Sequence, residues 1–187
     1  MVQVAPKPLT LAEFLELPET KPASEFINGT IIQKPMPQGE HSVLQGGLLV
    51  AITAIAKPNK IAGAFPELRC TFDNRAIVPD IAVFQWSRIP RNDQGRIANR
   101  FDLAPDWTIE ILSPDQSQNR VARNILHCLD HGTEMGWLID PEDQLMIVYY
   151  GDRPPVYCDQ ADELLPSPSF LADFKLTVGE MFAWLLA

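Results

Sequence analysis

Trp107-Thr108-Ile109-Glu110-Ile111-Leu112-Ser113-Pro114 is an apolar run with one acid in its middle and a Ser-Pro break at its end. Side chains alternate along an extended chain, so Thr108, Glu110 and Leu112 share one face while Trp107, Ile109 and Ile111 share the other. The run reads as a buried strand that carries a carboxylate inward. Earlier in the chain, Ala76-Ile77-Val78-Pro79-Asp80-Ile81-Ala82-Val83-Phe84 repeats the pattern with Asp80 as its acid, and Pro79 suits an edge or a strand start because it has no N–H to donate. A carboxylate taken out of water is costly unless a partner charge, hydrogen bonds or a metal offset it. If the two strands are neighbours, Asp80 and Glu110 converge on one hard cation, with oxygen ligands suited to Mg2+ or Mn2+. The competing reading pairs Asp80 with an arginine and leaves Glu110 at a wet strand end.

Working outward, Thr10-Leu-Ala-Glu13 has the spacing of a capping box and starts a short helix that Pro18 ends. Asn28-Gly29 between β-branched and aromatic residues signals a two-residue hairpin over Glu25–Gln33. Apolar residues at Val43, Leu44, Leu48, Ile52 and Ile55 predict a long helix from His41 to Ala56. Leu68–Phe72, Asp73-Asn74 and Ala76–Phe84 read as a second hairpin whose later strand carries Asp80. A second long helix is predicted over Ser117–His131, with Val121, Ile125 and Leu129 on its inner face and Gly132 as a left-handed cap. Arg120, Asn124, His127 and His131 line its outer side, where His127 is a candidate proton carrier. Met135–Ile139 and Leu145–Tyr150 form a strand pair, and Thr177-Val-Gly-Glu180 caps a closing helix. The order predicts an α/β or α+β fold, a mixed sheet flanked by helices, with residues 1–187 as one domain.

Composition narrows the function classes. Hydrophobic residues make up 46% of the 187 and charged residues 21%, a globular balance. The longest apolar stretch, Leu48–Ala56, is too short for a membrane span, and Met1–Lys7 lacks the pattern of a secretory signal, so a cytoplasmic protein is expected. Cys70, Cys128 and Cys158 are widely spaced and form no zinc or disulfide pattern. A net charge of −9 works against nucleic-acid binding overall, yet Arg88, Arg91, Arg96 and Arg100 cluster in one polar stretch, with Arg120 and Arg123 beyond it. The alternative for these arginines is a solvated loop surface.

Pro79-Asp80, then Glu110-Ile-Leu-Ser-Pro114, a helix, and Gly136-Trp-Leu-Ile-Asp140-Pro resemble the putative restriction endonuclease family of cyanobacteria (the Uma-two family), a branch of the PD-(D/E)XK nuclease superfamily. Glu25 with Asn28-Gly29, and His41 at the start of the first long helix, are similar to the family's N-terminal pattern. The resemblance implies a restriction-endonuclease-like sheet core and a metal, Mg2+ or Mn2+, held by Asp80, Glu110 and the backbone carbonyl of Ile111. It also implies DNA as substrate, gripped at the phosphates by Arg123 and by Arg88, Arg91, Arg96, Arg100 and Arg120, with Glu25 helping to orient metal or water. The family's lysine, which polarises the attacking water, has no counterpart at the expected places. Leu112 stands two residues after Glu110, and Asn124 stands at the position in the following helix.

Two other readings remain open. The chain could keep the fold and bind DNA or a protein without cleaving, or it could be a structural homodimer joined through Met135–Tyr150.

Overall fold

Two pairs of turn residues shape the first sheet. Asn28-Gly29 and Asp73-Asn74 all take positive φ (51°, 82°, 44° and 56°), the condition for tight two-residue hairpins. The protein is described by a computed structural model over residues 9–114 and 116–186; Met1–Lys7 and Asp115, used in the sequence reading, lie outside them. The first turn joins β1 (Ser24–Ile27) to β2 (Thr30–Gln33), and the second joins β4 (Cys70–Phe72) to β5 (Arg75–Ile77). These strands form a small antiparallel sheet in the order β2-β1-β5-β4.

The larger sheet contains β3 (Ala62–Pro66), β6 (Ile81–Gln85), β7 (Trp107–Ile111), β8 (Met135–Asp140), β9 (Leu145–Tyr150) and β10 (Val156–Cys158). Its order is β10-β9-β8-β7-β6-β3. Only the β7–β8 pair is parallel, and a parallel pair requires a crossover connection. That crossover is α3 (Gln118–Leu129), whose Val121 and Ile125 pack on Leu138 and Ile147. Gly136 allows the close approach, since a Cβ there would collide with Ile125. On the other face, α2 (Gly39–Ala56) buries Leu44, Leu48 and Ile52 against Trp107, Ile109 and Trp137. The capping boxes at Thr10 and Thr177 start α1 (Leu11–Leu15) and α4 (Val178–Ala183).

The mixed sheet flanked by helices is therefore present, with three corrections of detail. Ala76–Phe84 is not one strand. β5 stops at Ile77, Val78-Pro79-Asp80 crosses between the sheets, and β6 begins at Ile81, because Pro79 cannot donate to a ladder. Met135–Tyr150 offers no free interface for a homodimer: Met135, Trp137, Leu138, Ile139, Met146, Ile147 and Val148 are all buried within the chain itself. The polar line on α3 faces water only at its ends: Arg120 and His131 are exposed, whereas Asn124 and His127 are buried. Among the described residues, no helix is long and apolar enough to cross a membrane.

Candidate functional site at the seam between the sheets

β6 and β7 pair antiparallel with Ile81 opposite Ile109, and the same register carried back one residue sets Asp80 opposite Glu110. Directly opposed residues point to the same side of a sheet. Both residues are buried, at 3% exposure each, and both side chains reach the same atom: Lys34 Nζ lies 2.7 Å from Asp80 Oδ1 and 3.3 Å from Glu110 Oε2. Lys34 also donates to the Val78 carbonyl at 2.8 Å.

Each partner comes from a different element. Lys34 follows β2, where its own N–H donates to the Ala23 carbonyl and continues the hairpin. The Ile111 N–H of β7 donates to Asp80 Oδ2 at 2.7 Å. His41, in the first turn of α2, sets Nε2 3.1 Å from the same oxygen, while its Nδ1 is buried without a hydrogen-bond partner among the described residues. Gln45, one turn along α2, donates to the Asp80 carbonyl. Glu25 of β1 is buried too; it accepts from the Val78 N–H at 2.9 Å and from Asn124 Nδ2 at 3.1 Å. The N–H and the carbonyl of Val78, in the segment that crosses between sheets, are thus both held by the site.

Three carboxylates around one ammonium cannot all be neutralised, and the proton affinities divide accordingly. Burial acts to raise Asp80, but Lys34 and His41 outweigh it and hold its pKa at about 2. Burial raises Glu110 well above the usual carboxylate range despite Lys34, with Asp80 and Glu25 adding to the rise. Glu25 is raised by burial as well. Lys34 is disfavoured by burial but raised overall by Glu110, Asp80 and Glu25, so it stays an ammonium. This donor set fits a hard divalent cation: carboxylate oxygens converge on a point where a positive charge already sits. A cavity of about 360 Å³ beside His41, Ser113 and Gln116 opens on one flank. A narrower one of about 40 Å³ touches Glu25, Lys34, Glu110, Arg120 and Asn124.

Of the residues singled out in the sequence, Asp80, Glu110, Glu25, Ile111 and Asn124 meet here. Ile111 meets Asp80 through its N–H, and Asn124 positions Glu25. Arg123 touches none of the acids; it lines a neighbouring cavity of about 310 Å³ with Arg75, Arg120, Asn124 and His127. The remaining arginines sit elsewhere. Arg88 is bound to Asp106 at 2.6 Å, at the opposite end of β6 and β7 from the site, and Arg100 pairs with Asp102. Arg91 bonds the Gly95 carbonyl and Arg96 bonds Gln94, both within their own exposed loop. Lys34 is the residue the sequence reading missed.

An aspartate just before one strand of a mixed sheet and a glutamate on its neighbour, both turned to one cation, place the chain among nuclease-like α+β folds. More narrowly, the chain belongs to the Uma2 family, described as "Putative restriction endonuclease", whose model matches residues 11–179. A solved structure, the crystal structure of a putative nuclease belonging to DUF820 from Anabaena variabilis, is similar to it at 58% identity and a TM-score of 0.94, covering 95% of this chain and 99% of that one. No curated protein matches the chain.

Proposed function

We propose that the protein is a metal-dependent DNA endonuclease, with Mg2+ or Mn2+ held by Asp80, Glu110 and the Ile111 carbonyl. The observation that carries this reading is the convergence of Asp80 Oδ1 and Glu110 Oε2 on one ammonium. The Ile111 N–H bonds Asp80, and in a strand the carbonyl of a residue leaves the same edge as its N–H. Bound there, the ion would neutralise the scissile phosphate and lower the pKa of a water.

The chain's own groups do the rest. His41 and the Ile111 N–H fix Asp80 Oδ2, leaving Oδ1 as the oxygen turned to the cation. Glu25, oriented by Asn124 and Val78, closes the cluster on a third side. Lys34 takes the part of the missing motif lysine from a different direction: its ammonium, kept charged, donates to the attacking oxygen and stabilises the negative charge that develops there. It serves as an electrostatic anchor and never as a base. Arg75, Arg120 and Arg123, along the adjoining cavity, supply phosphate contacts.

The test is nicking of supercoiled plasmid DNA by purified protein with magnesium. Cleavage is expected from the wild type and is expected to disappear in Asp80→Asn and Lys34→Met. Wild-type cleavage by Asp80→Asn overturns the assignment. A second reading, binding without cleavage, is favoured by the ammonium seated where the cation belongs. Calorimetric titration with magnesium separates the two, because a chain that takes up no divalent ion at millimolar concentration cannot run this chemistry.

A further inference from the structure

The nuclease site leaves both histidines of α3 unused, together with the acid of the second hairpin turn. Asp73 stands at the first position of the β4–β5 turn, and its Oδ2 lies 3.3 Å from His131 Nε2 and 4.0 Å from His127 Nδ1. One ligand atom from each of the three residues falls within 4.8 Å of the others. His127 and His131 are four residues apart on one helix, the separation that stacks side chains on the same face.

The surroundings prepare these rings for a metal. His131 Nδ1 lies 2.7 Å from the His127 carbonyl, which can only accept, so Nδ1 carries a hydrogen and Nε2 is the nitrogen that faces Asp73. A second ring nitrogen anchored on a backbone carbonyl is the usual support of a ligating histidine. His127 is buried and stacked on Phe72, with ring centroids 4.8 Å apart and planes at 11°. Its Nε2 is buried with no hydrogen-bond partner among the described residues. Asp73 is largely exposed, which leaves one side of the group open to water.

We infer that Asp73, His127 and His131 form a second metal site, for a borderline transition cation of the zinc class, with water in the open position. Two imidazoles and one carboxylate suit Zn2+, Co2+ or Ni2+ far better than Mg2+, which prefers an all-oxygen shell. The ion links the β4–β5 hairpin of the small sheet to α3 of the large one, one turn from the Asn124 that holds Glu25. It braces the seam on which the acid cluster is built, and the argument for it stands whether or not that cluster cleaves DNA.

The test uses tag-free full-length protein, stripped of metal and kept in excess magnesium. Cobalt is titrated with visible absorption as the readout, and zinc by calorimetry and thermal melting. One equivalent is expected to bind with ligand-field bands of histidine coordination and to raise the melting temperature. His131→Gln and Asp73→Asn are expected to weaken binding by more than about 100-fold, beyond what outer-shell partners control. Asp80→Asn should bind as the wild type does. Absence of bands in the folded wild type, or binding retained in Asp73→Asn and lost in Asp80→Asn, overturns the site and leaves Asp73 and His131 as a simple ion pair.

Discussion

The two ends of the β6–β7 pair each bury an acid beside a cation, and they differ in how the charge is balanced. At one end Asp106 accepts from the Gln85 N–H at 2.7 Å, the Gln85 side chain at 2.9 Å and Arg88 at 2.6 Å. One carboxylate meets one guanidinium and two neutral donors, and nothing is left over. At the other end Asp80, Glu110 and Glu25 share the single charge of Lys34, with His41 in addition. A satisfied buried ion pair is a structural fixture, whereas an under-neutralised group of acids has a capacity for further positive charge. The same two strands therefore carry a fastening at one end and a candidate site at the other.

The sharpest way to break the contrast is to neutralise each acid in turn. Asp80→Asn should lower cleavage by about 10³-fold, equivalent to several kcal/mol of lost transition-state stabilisation. Asp106→Asn should leave cleavage near wild type and instead cost about 1–3 kcal/mol of stability in a denaturant melt, through the weakened hold on Arg88.

Removing the cation at each end comes next. In metal-free buffer at neutral pH, Lys34→Met should destabilise by about 3–5 kcal/mol, the cost of leaving buried charges unpaired, and added magnesium should restore part of the loss. Arg88→Met, whose guanidinium is partly solvated, should cost less and show no response to magnesium.

Smaller effects should appear in the pH dependence. Glu110 has a folded-state pKa above its unfolded one, so the folded protein binds the extra proton. Its contribution is fully present below the unfolded value and fades as pH rises toward the folded one. Glu110→Gln should remove that slope, making the melting temperature of the metal-free protein flatter as pH rises above the ordinary carboxylate range. Smallest of all, Arg123→Ala should reduce the salt slope of DNA binding by about one contact, while Arg96→Ala should leave it unchanged.

Much of this was legible in the residues. Asp80 and Glu110 stand out because charged groups interrupt otherwise buried strands, and the hairpin, crossover helix and caps all follow local rules. β3 and β10 were not visible: Ala62–Pro66 opens on three small residues and ends on a proline, and Val156–Cys158 is short and lies just after a pair of prolines. The arginine stretch misled because closeness in sequence says nothing about which end of a strand a loop occupies. Lys34 escaped notice because it lies on neither the glutamate strand nor the helix after it. The signal lay in the first hairpin. A two-residue turn at Asn28-Gly29 pairs Glu25 with Ile32 and Ala23 with Lys34, which puts the lysine on the face that bears Glu25.

β2, which delivers that lysine, is the outermost ribbon of the small sheet, and Thr30, Ile31 and Gln33 on it are exposed. An ammonium hung from an outer ribbon can withdraw by fraying a handful of backbone bonds, while the strands bearing Asp80 and Glu110 stay locked in place. Such sub-global opening lies low on the free-energy ladder of a folded chain. Vacating the cation position thus asks little of the scaffold, and amide exchange along Thr30–Gln33 should quicken before any other part of the site loosens.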